Sequence, residues 1–199
     1  MAGLATLAVF AAQAQTDVAA SLYGAFSEKT TGNEIMQSPS NSAGGLIEVR
    51  HIDHPWFGYE ATYAFNRANQ VYSPTVTALP CTSPSPCPTL KPAIVSANAH
   101  EITGDWVASL KVAKFRPFAL AGIGLLLDVP SGSQTSTQTS PKPVYVYGGG
   151  VDWGLLPHLG LRLQYRGNLY SAPDLTKLYT SSGAFTHTAE PMVGVYFRL

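Results

Sequence analysis

The stretch from Phe185 to Leu199, FTHTAEPMVGVYFRL, separates two environments with a period of two. His187, Ala189, Pro191, Val193, Val195 and Phe197 form a mostly apolar face. Thr186, Thr188, Glu190, Met192, Gly194, Tyr196 and Arg198 form a mixed, charged one. That period is a strand's, not a helix's. A terminal strand this long would leave an exposed edge in an open sheet. In a closed barrel it pairs with the first strand, and no edge remains.

The same alternation runs through much of the chain before it. Thr16 to Ser27 sets Val18, Ala20, Leu22, Gly24 and Phe26 against Asp17, Ser21 and Ser27. Ser42 to His51 sets Ile47 and Val49 against Glu48 and Arg50. Trp56 to Arg67 gives the clearest case, with Phe57, Tyr59, Ala61, Tyr63 and Phe65 on one face and Gly58, Glu60, Thr62, Ala64 and Asn66 on the other. Ala93 to Ser109 places Glu101, Thr103 and Asp105 opposite Ile102, Gly104 and Trp106, which turns Asn98 and His100 outward. Phe115 to Asp128 reads as a strand whose run from Phe118 to Leu127 is nearly all apolar or small and shows no sidedness. Pro143 to Trp153 sets Tyr145, Tyr147, Val151 and Trp153 against Gly148, Gly150 and Asp152. Leu159 to Tyr170 sets Leu159, Leu161, Leu163 and Tyr165 against Arg162, Gln164, Arg166 and Asn168.

Eight strands are therefore expected, with connections that alternate between long and short. Glu28–Asn41, Ala68–Pro92, Val129–Lys142 and Ser171–Ala184 read as long loops, rich in Ser, Thr, Asn, Gly and Pro. The connections after His51, Ser109 and Trp153 are short, and Trp56, Trp106 and Trp153 each lie beside one of them. Tryptophan favours a membrane–water interface, because its ring is apolar and its N–H polar. The pattern predicts an all-β, eight-stranded antiparallel up-and-down transmembrane barrel with an aromatic girdle at the short-turn end.

Charged residues make up only 12% of the 199, and the formal net charge is zero, which offers nothing to nucleic acid. After the first residues no apolar run reaches the roughly 18 needed for a membrane helix. The opening MAGLATLAVFAAQAQ has an apolar stretch from Leu4 to Ala12 and a small-x-small site at Ala12-Gln13-Ala14, but no basic start. It reads as a signal peptide over 1–14, leaving 15–199 as the barrel domain. Cys81 and Cys87, in CTSPSPC, suggest a local disulfide in an oxidising compartment.

The inward positions collect Glu48, Arg50, Glu60, Glu101, Asp105, Arg162, Arg166, Glu190 and Arg198. An isolated charge in a narrow barrel is very costly. These five acids and four bases are expected to pair into an ion network that fills the interior, with at most a narrow water path.

The segments GYEATYAFNR (Gly58 to Arg67), AHEITGDWV (Ala99 to Val107), RPFALAGIGLLL (Arg116 to Leu127), LRLQYRGNLYSAP (Leu161 to Pro173) and HTAEPMVGVYFRL (His187 to Leu199) together resemble the small outer-membrane barrels related to the transmembrane domain of outer-membrane protein A. Gly194, Phe197 and Leu199 resemble the C-terminal insertion signal of that class, departing from it in a final Leu and in Met192. The resemblance implies a monomer in the bacterial outer membrane, with outer-membrane lipid around it and the barrel-assembly machinery as its partner during insertion. Long loops would be extracellular and both termini periplasmic.

Catalysis has little to rest on. None of His51, His54, His100, His158 or His187 has Ser two positions on, the pair carried by barrel lipid A deacylases. His187 and Glu190 are three apart on a strand and so face opposite ways. His51 and His54 flank a turn and make a poor metal pair. Gly148 to Gly150 has no following helix and gives room to large interior neighbours rather than cradling phosphate. The expected role is an envelope structural barrel with weak or narrow pore activity at most, needing no cofactor or metal. A surface adhesin using the outer loops is the alternative, and a lipid A-modifying enzyme ranks last.

Overall fold

A computed structural model describes residues 15–54, 56–76, 90–132 and 136–199. The proposed leader, Pro55 and the Cys81–Cys87 pair lie outside the described residues.

Ten strand segments are present: β1 (Gln15–Ser27), β2 (Thr30–Gly32), β3 (Ile35–Pro39), β4 (Ser42–Ile52), β5 (Phe57–Pro74), β6 (Ala93–Ser109), β7 (Phe115–Pro130), β8 (Ser140–Gly154), β9 (Leu159–Ser171) and β10 (Phe185–Arg198). Among the described residues there is no helix. Every neighbouring pair is antiparallel, and β5 also pairs with β6, which closes the ring. The barrel has eight strands in up-and-down order, because β2 and β3 extend β1 and β4 beyond the ring. The closing seam joins β1 to β10 from Asp17↔Arg198 to Ser27↔Thr188.

The wall is apolar on the outside. Leu22, Ile47, Tyr59, Ile102, Ile123, Leu163 and Val193 all point outward and are exposed. A belt of this extent in water would be a site of association, whereas acyl chains would cover it. Trp56, Trp106 and Trp153 are exposed at the short-turn end. Phe57 stacks on Trp106 at 5.7 Å between ring centroids, and Phe115 on Trp153 at 6.0 Å. His100 does face outward, and its position is explained by its neighbours. The Tyr63 hydroxyl lies 2.9 Å from its Nδ1, and the Phe65 ring is 5.1 Å away.

The expected strand boundaries need three corrections. Glu28–Asn41 is mostly a strand hairpin rather than a loop. Asn33 and Glu34, at its tip, have φ of 50° and 59°, the left-handed pair that a two-residue hairpin turn requires. The third strand continues seven residues past Arg67, to Pro74, pairing with β3 and β6. The connection after β7 is also shorter than expected, since β7 reaches Pro130 and β8 begins at Ser140.

The 171–184 connection, expected as a loop, folds down over the barrel mouth. Leu175 is fully buried with Ile35, Tyr72, Val95 and Ala97. The Tyr72 hydroxyl donates to Pro173 O at 2.8 Å and accepts from Leu175 N at 3.0 Å. Gln37 Nε2 donates to the same carbonyl at 2.8 Å, and Asn33 Nδ2 to Ser181 O at 2.9 Å. Hydrogen bonds from barrel side chains replace the water that would otherwise solvate this backbone.

Large interior tyrosines sit over glycines on the neighbouring strand. Tyr23 lies opposite Gly44, and Tyr196 opposite Gly160. A Cβ at Gly160 would collide with the Tyr196 ring and with Trp153 O. Gly160→Val is therefore expected to destabilise the folded barrel by about 1–3 kcal/mol, the usual range for overpacking. Urea unfolding in detergent measures this, and combining it with Tyr196→Ala should recover part of the loss.

Candidate functional site

The interior is ionic, and its side chains come from every wall of the ring. Buried charges among the described residues are Asp17, Glu48, Glu60, Glu101, Asp105, Asp128, Asp152 and Glu190, against Arg50, Arg116, Arg162 and Arg166. That is eight carboxylates to four guanidinium groups, rather than the near balance expected from the sequence. Asp17, Arg116, Asp128 and Asp152 were absent from the expected set. Strand parity already placed Asp17 and Asp152 inward, opposite Val18 and Trp153.

Three arginines organise the plug. Arg50 Nε donates to Glu60 Oε2 at 2.7 Å, and its Nη atoms lie 3.4 Å from Glu48 and 3.5 Å from Asp152. Arg162 forks onto Asp152, with Nε to Oδ1 at 2.6 Å and Nη2 to Oδ2 at 2.8 Å. It also reaches Asp17 at 3.0 Å and pairs with Glu48. Arg166, four residues further along β9, pairs with Asp105 at 3.1 Å, Glu60 at 3.4 Å and Glu101 at 3.8 Å. Glu48, Glu60 and Asp152 each bridge two arginines, so the charges form one continuous network. Two-point arginine–carboxylate contacts of this kind are short and directional.

Neutral groups complete the shell. Arg166 Nη2 donates to Thr103 Oγ1 at 3.0 Å, and that hydroxyl donates to Asp105 Oδ2 at 3.0 Å. The Thr62 hydroxyl, 2.7 Å from Thr103 Oγ1, must then be the donor of its pair. Asn168 Nδ2 donates to Glu101 Oε2 at 2.9 Å. The Phe118 ring lies beneath Arg50, 4.0 Å from the guanidinium carbon to the ring centroid. Gly150 makes room for Phe118, since a Cβ there would lie 2.8 Å from its Cζ. The expectation that the glycine run accommodates large interior groups holds at this position.

Of the nine predicted interior residues, Glu48, Arg50, Glu60, Glu101, Asp105, Arg162 and Arg166 meet in this network. Glu190 is buried above it and forms no ion pair with the other described residues, and the same holds for Asp128. These two and Glu101 line a cavity of about 40 Å³ together with Tyr23, Tyr170 and Thr188. Arg198 is a correction: it is half-buried at the short-turn mouth, over the Tyr196 ring at 5.8 Å, and joins no acid of the plug. Above the belt, burial pushes the Tyr72 phenol well above its usual pKa, so it stays a donor to the loop.

The remaining candidates are separate. His187 points outward, 2.9 Å from the Tyr147 hydroxyl, while Glu190 points inward on the same strand. His51 bridges Thr16 at 2.7 Å and Asp53 at 2.8 Å. Among the described residues, no three His, Cys, Asp or Glu side chains gather as metal ligands do. Gly194 of β10 lies against Ser21 of β1, while Phe197 and the following Leu199 are exposed.

The plug makes a direct prediction. Arg166→Met leaves Glu60, Glu101 and Asp105 buried together without their central cation. It is expected to destabilise the barrel by about 3–5 kcal/mol. Thr103→Ala, which removes a neutral hydroxyl, is expected to cost about 1–3 kcal/mol. Urea midpoints in one detergent rank the two, and equal midpoints for Arg166→Met and the parent chain would contradict the reading.

Known proteins share this architecture. No protein-family model and no curated protein matches the sequence. Among solved structures, the attachment invasion locus protein Ail of Yersinia pestis superposes with a TM-score of 0.56 at 12% identity, over 94% of this chain and 100% of that one. Neisserial surface protein A superposes at 0.54 and 15%, over 94% and 100%. The outer-membrane protein OprG of Pseudomonas aeruginosa superposes at 0.56 and 9%, over 93% and 96%. At such identities the likeness is one of fold, and the chain has the fold of the small eight-stranded outer-membrane barrels.

Proposed function

We propose that the chain is an outer-membrane barrel with an envelope structural role, sealed along its axis. The observation that carries this is the inverted distribution of polarity: an apolar belt outside and a continuous arginine–carboxylate network inside. In this reading lipid covers the belt, and the barrel stands as a monomer. Trp56, Trp106 and Trp153 anchor the periplasmic interface, which puts the long connections and the Cys81–Cys87 bridge outside the cell. Both termini are then periplasmic. Gly194, Phe197 and Leu199 serve as the signal read by the assembly machinery. No residue is assigned a catalytic or cofactor role, and lipid A chemistry remains the last-ranked alternative.

Two barriers lie along the axis, the plug and the folded 171–184 connection. In planar bilayers the purified barrel is expected to give no discrete openings above background, with any current confined to a narrow path. Regular, long-lived openings of porin size would refute a sealed barrel.

A second reading, as a surface adhesin, is favoured by one observation. The β2–β3 hairpin stands beyond the ring on a fixed turn and is tied to the folded loop through Thr30 and Ser182, 2.7 Å apart. Such a projection presents a defined surface rather than a mobile one. Ail, whose name includes attachment and invasion, has the same fold and has been crystallised with a heparin analogue. Replacing residues 31–36 with a minimal turn should abolish adhesion to host cells while leaving heat-dependent gel migration intact. Unchanged attachment by that variant removes the adhesin reading.

A further inference from the structure

The short-turn mouth carries charge of the opposite sign to the upper interior. A cavity of about 310 Å³ opens there between the 110–114 and 155–158 turns. Four cationic side chains line it: Lys111, Lys114, Arg116 and Arg198. Its one acid is Asp152, which is already held by Arg162 at 2.6 and 2.8 Å and by Arg50 at 3.5 Å. None of the four cations forms an ion pair with the other described residues, a contrast with Arg50, Arg162 and Arg166 above them.

Arg116 is the anchor. Its side chain is held by Gln15 Oε1, which accepts from Nη2, and the residue is only 9% exposed. Among the described residues its Nη1 has no hydrogen-bond partner, nor has Nε of Arg198 on the same cavity wall. Buried guanidinium N–H groups left without an acceptor are costly, and two cations sharing one cavity add repulsion. Both costs are removed by an anion with several acceptor oxygens. Leu155, Leu156 and Phe115 form an exposed apolar rim around these charges, close to Trp153.

We propose that this mouth is a binding site for a phosphate-bearing anion. Arg116 and Arg198 supply directional N–H donors to its oxygens, and Lys111 and Lys114 supply point charges at the entrance. A tetrahedral oxyanion suits four converging donor groups better than a carboxylate with two oxygens. The apolar rim lets the same phosphate arrive as a lipid headgroup with its chains along the belt, or as a free ion. The site goes beyond the structural role and does not depend on which side of the membrane the mouth faces.

The test uses the full chain folded in octyl glucoside, with folding verified by heat-dependent gel migration. Amide shifts of Gly154 and Lys114 are followed during titration with inorganic phosphate, with dihexanoyl phosphatidic acid and with the matched diacylglycerol lacking phosphate. Saturable shifts are expected with the first two and not with the third. Arg116→Gln should weaken binding at least tenfold. Lys111→Gln/Lys114→Gln, on an exposed turn, should weaken it several-fold and keeps the test open if the arginine variant fails to fold. Lipid binding at least tenfold tighter than free phosphate identifies a headgroup, and similar or tighter phosphate binding identifies the free ion. Either outcome supports the site. No saturation by either probe, saturation by the diacylglycerol, or unchanged affinity in the folded variants overturns it.

Discussion

Closure of the ring is the constraint on which everything else depends. A wall that faces hydrocarbon cannot leave N–H or C=O groups unpaired, because no water is present to satisfy them. The β1–β10 seam meets that requirement, with Leu199 N donating to Thr16 O at 2.9 Å at its lower end. Once the ring is closed, each strand has one face outside and one inside. The number of strands then limits the interior to little more than side-chain volume.

That narrow interior explains why the charges behave as they do. With little room for water, a buried guanidinium must find carboxylates on the opposite wall. Arg162 on β9 accordingly reaches Asp17 on β1 and Glu48 on β4, as well as Asp152 beside it on β8. The pairing ties walls that are not hydrogen-bonded neighbours. It thus cross-braces the cylinder, a task that an apolar core performs in a soluble sandwich. Such a network gives little net stability over a well-packed apolar filling, but losing one member leaves the rest exposed to a large penalty. Fixing strand register is a use of buried charge that suits this arrangement.

The sequence was most legible where the two faces of a strand meet different surroundings. Tyr59, Ala61, Tyr63 and Phe65 against Glu60, Thr62 and Ala64 could be sorted by parity alone, because the apolar outer belt and the ionic plug demand opposite chemistries. Beyond the belt, outward positions such as Arg67 and Asn69 are polar as well, and the contrast fades. Gln70, Tyr72 and the whole of β3 therefore looked like loop, although the ladder of backbone hydrogen bonds runs on through them. The burial of Leu175 was illegible for a different reason: its surroundings come from β3, β5 and β6, and nothing local marks it. The charge balance is less legible for a third reason. Parity places Asp17 and Asp152 inside, but Arg116 and Asp128 lie near the ends of a strand whose sequence shows no sidedness. The excess of carboxylates emerges only when every strand contributes.

The folded 171–184 connection has a consequence for how the molecule meets solvent. It closes one end of the cylinder with Leu175, Tyr72 and a set of main-chain hydrogen bonds, while the other end opens into a cavity lined by lysine and arginine. A tube stoppered at one end is a cup. The Arg50–Arg162 layer lies between that open mouth and the upper carboxylates. The two ends of the cylinder therefore differ in chemistry, one closed by packed side chains and main-chain hydrogen bonds and the other lined by cations.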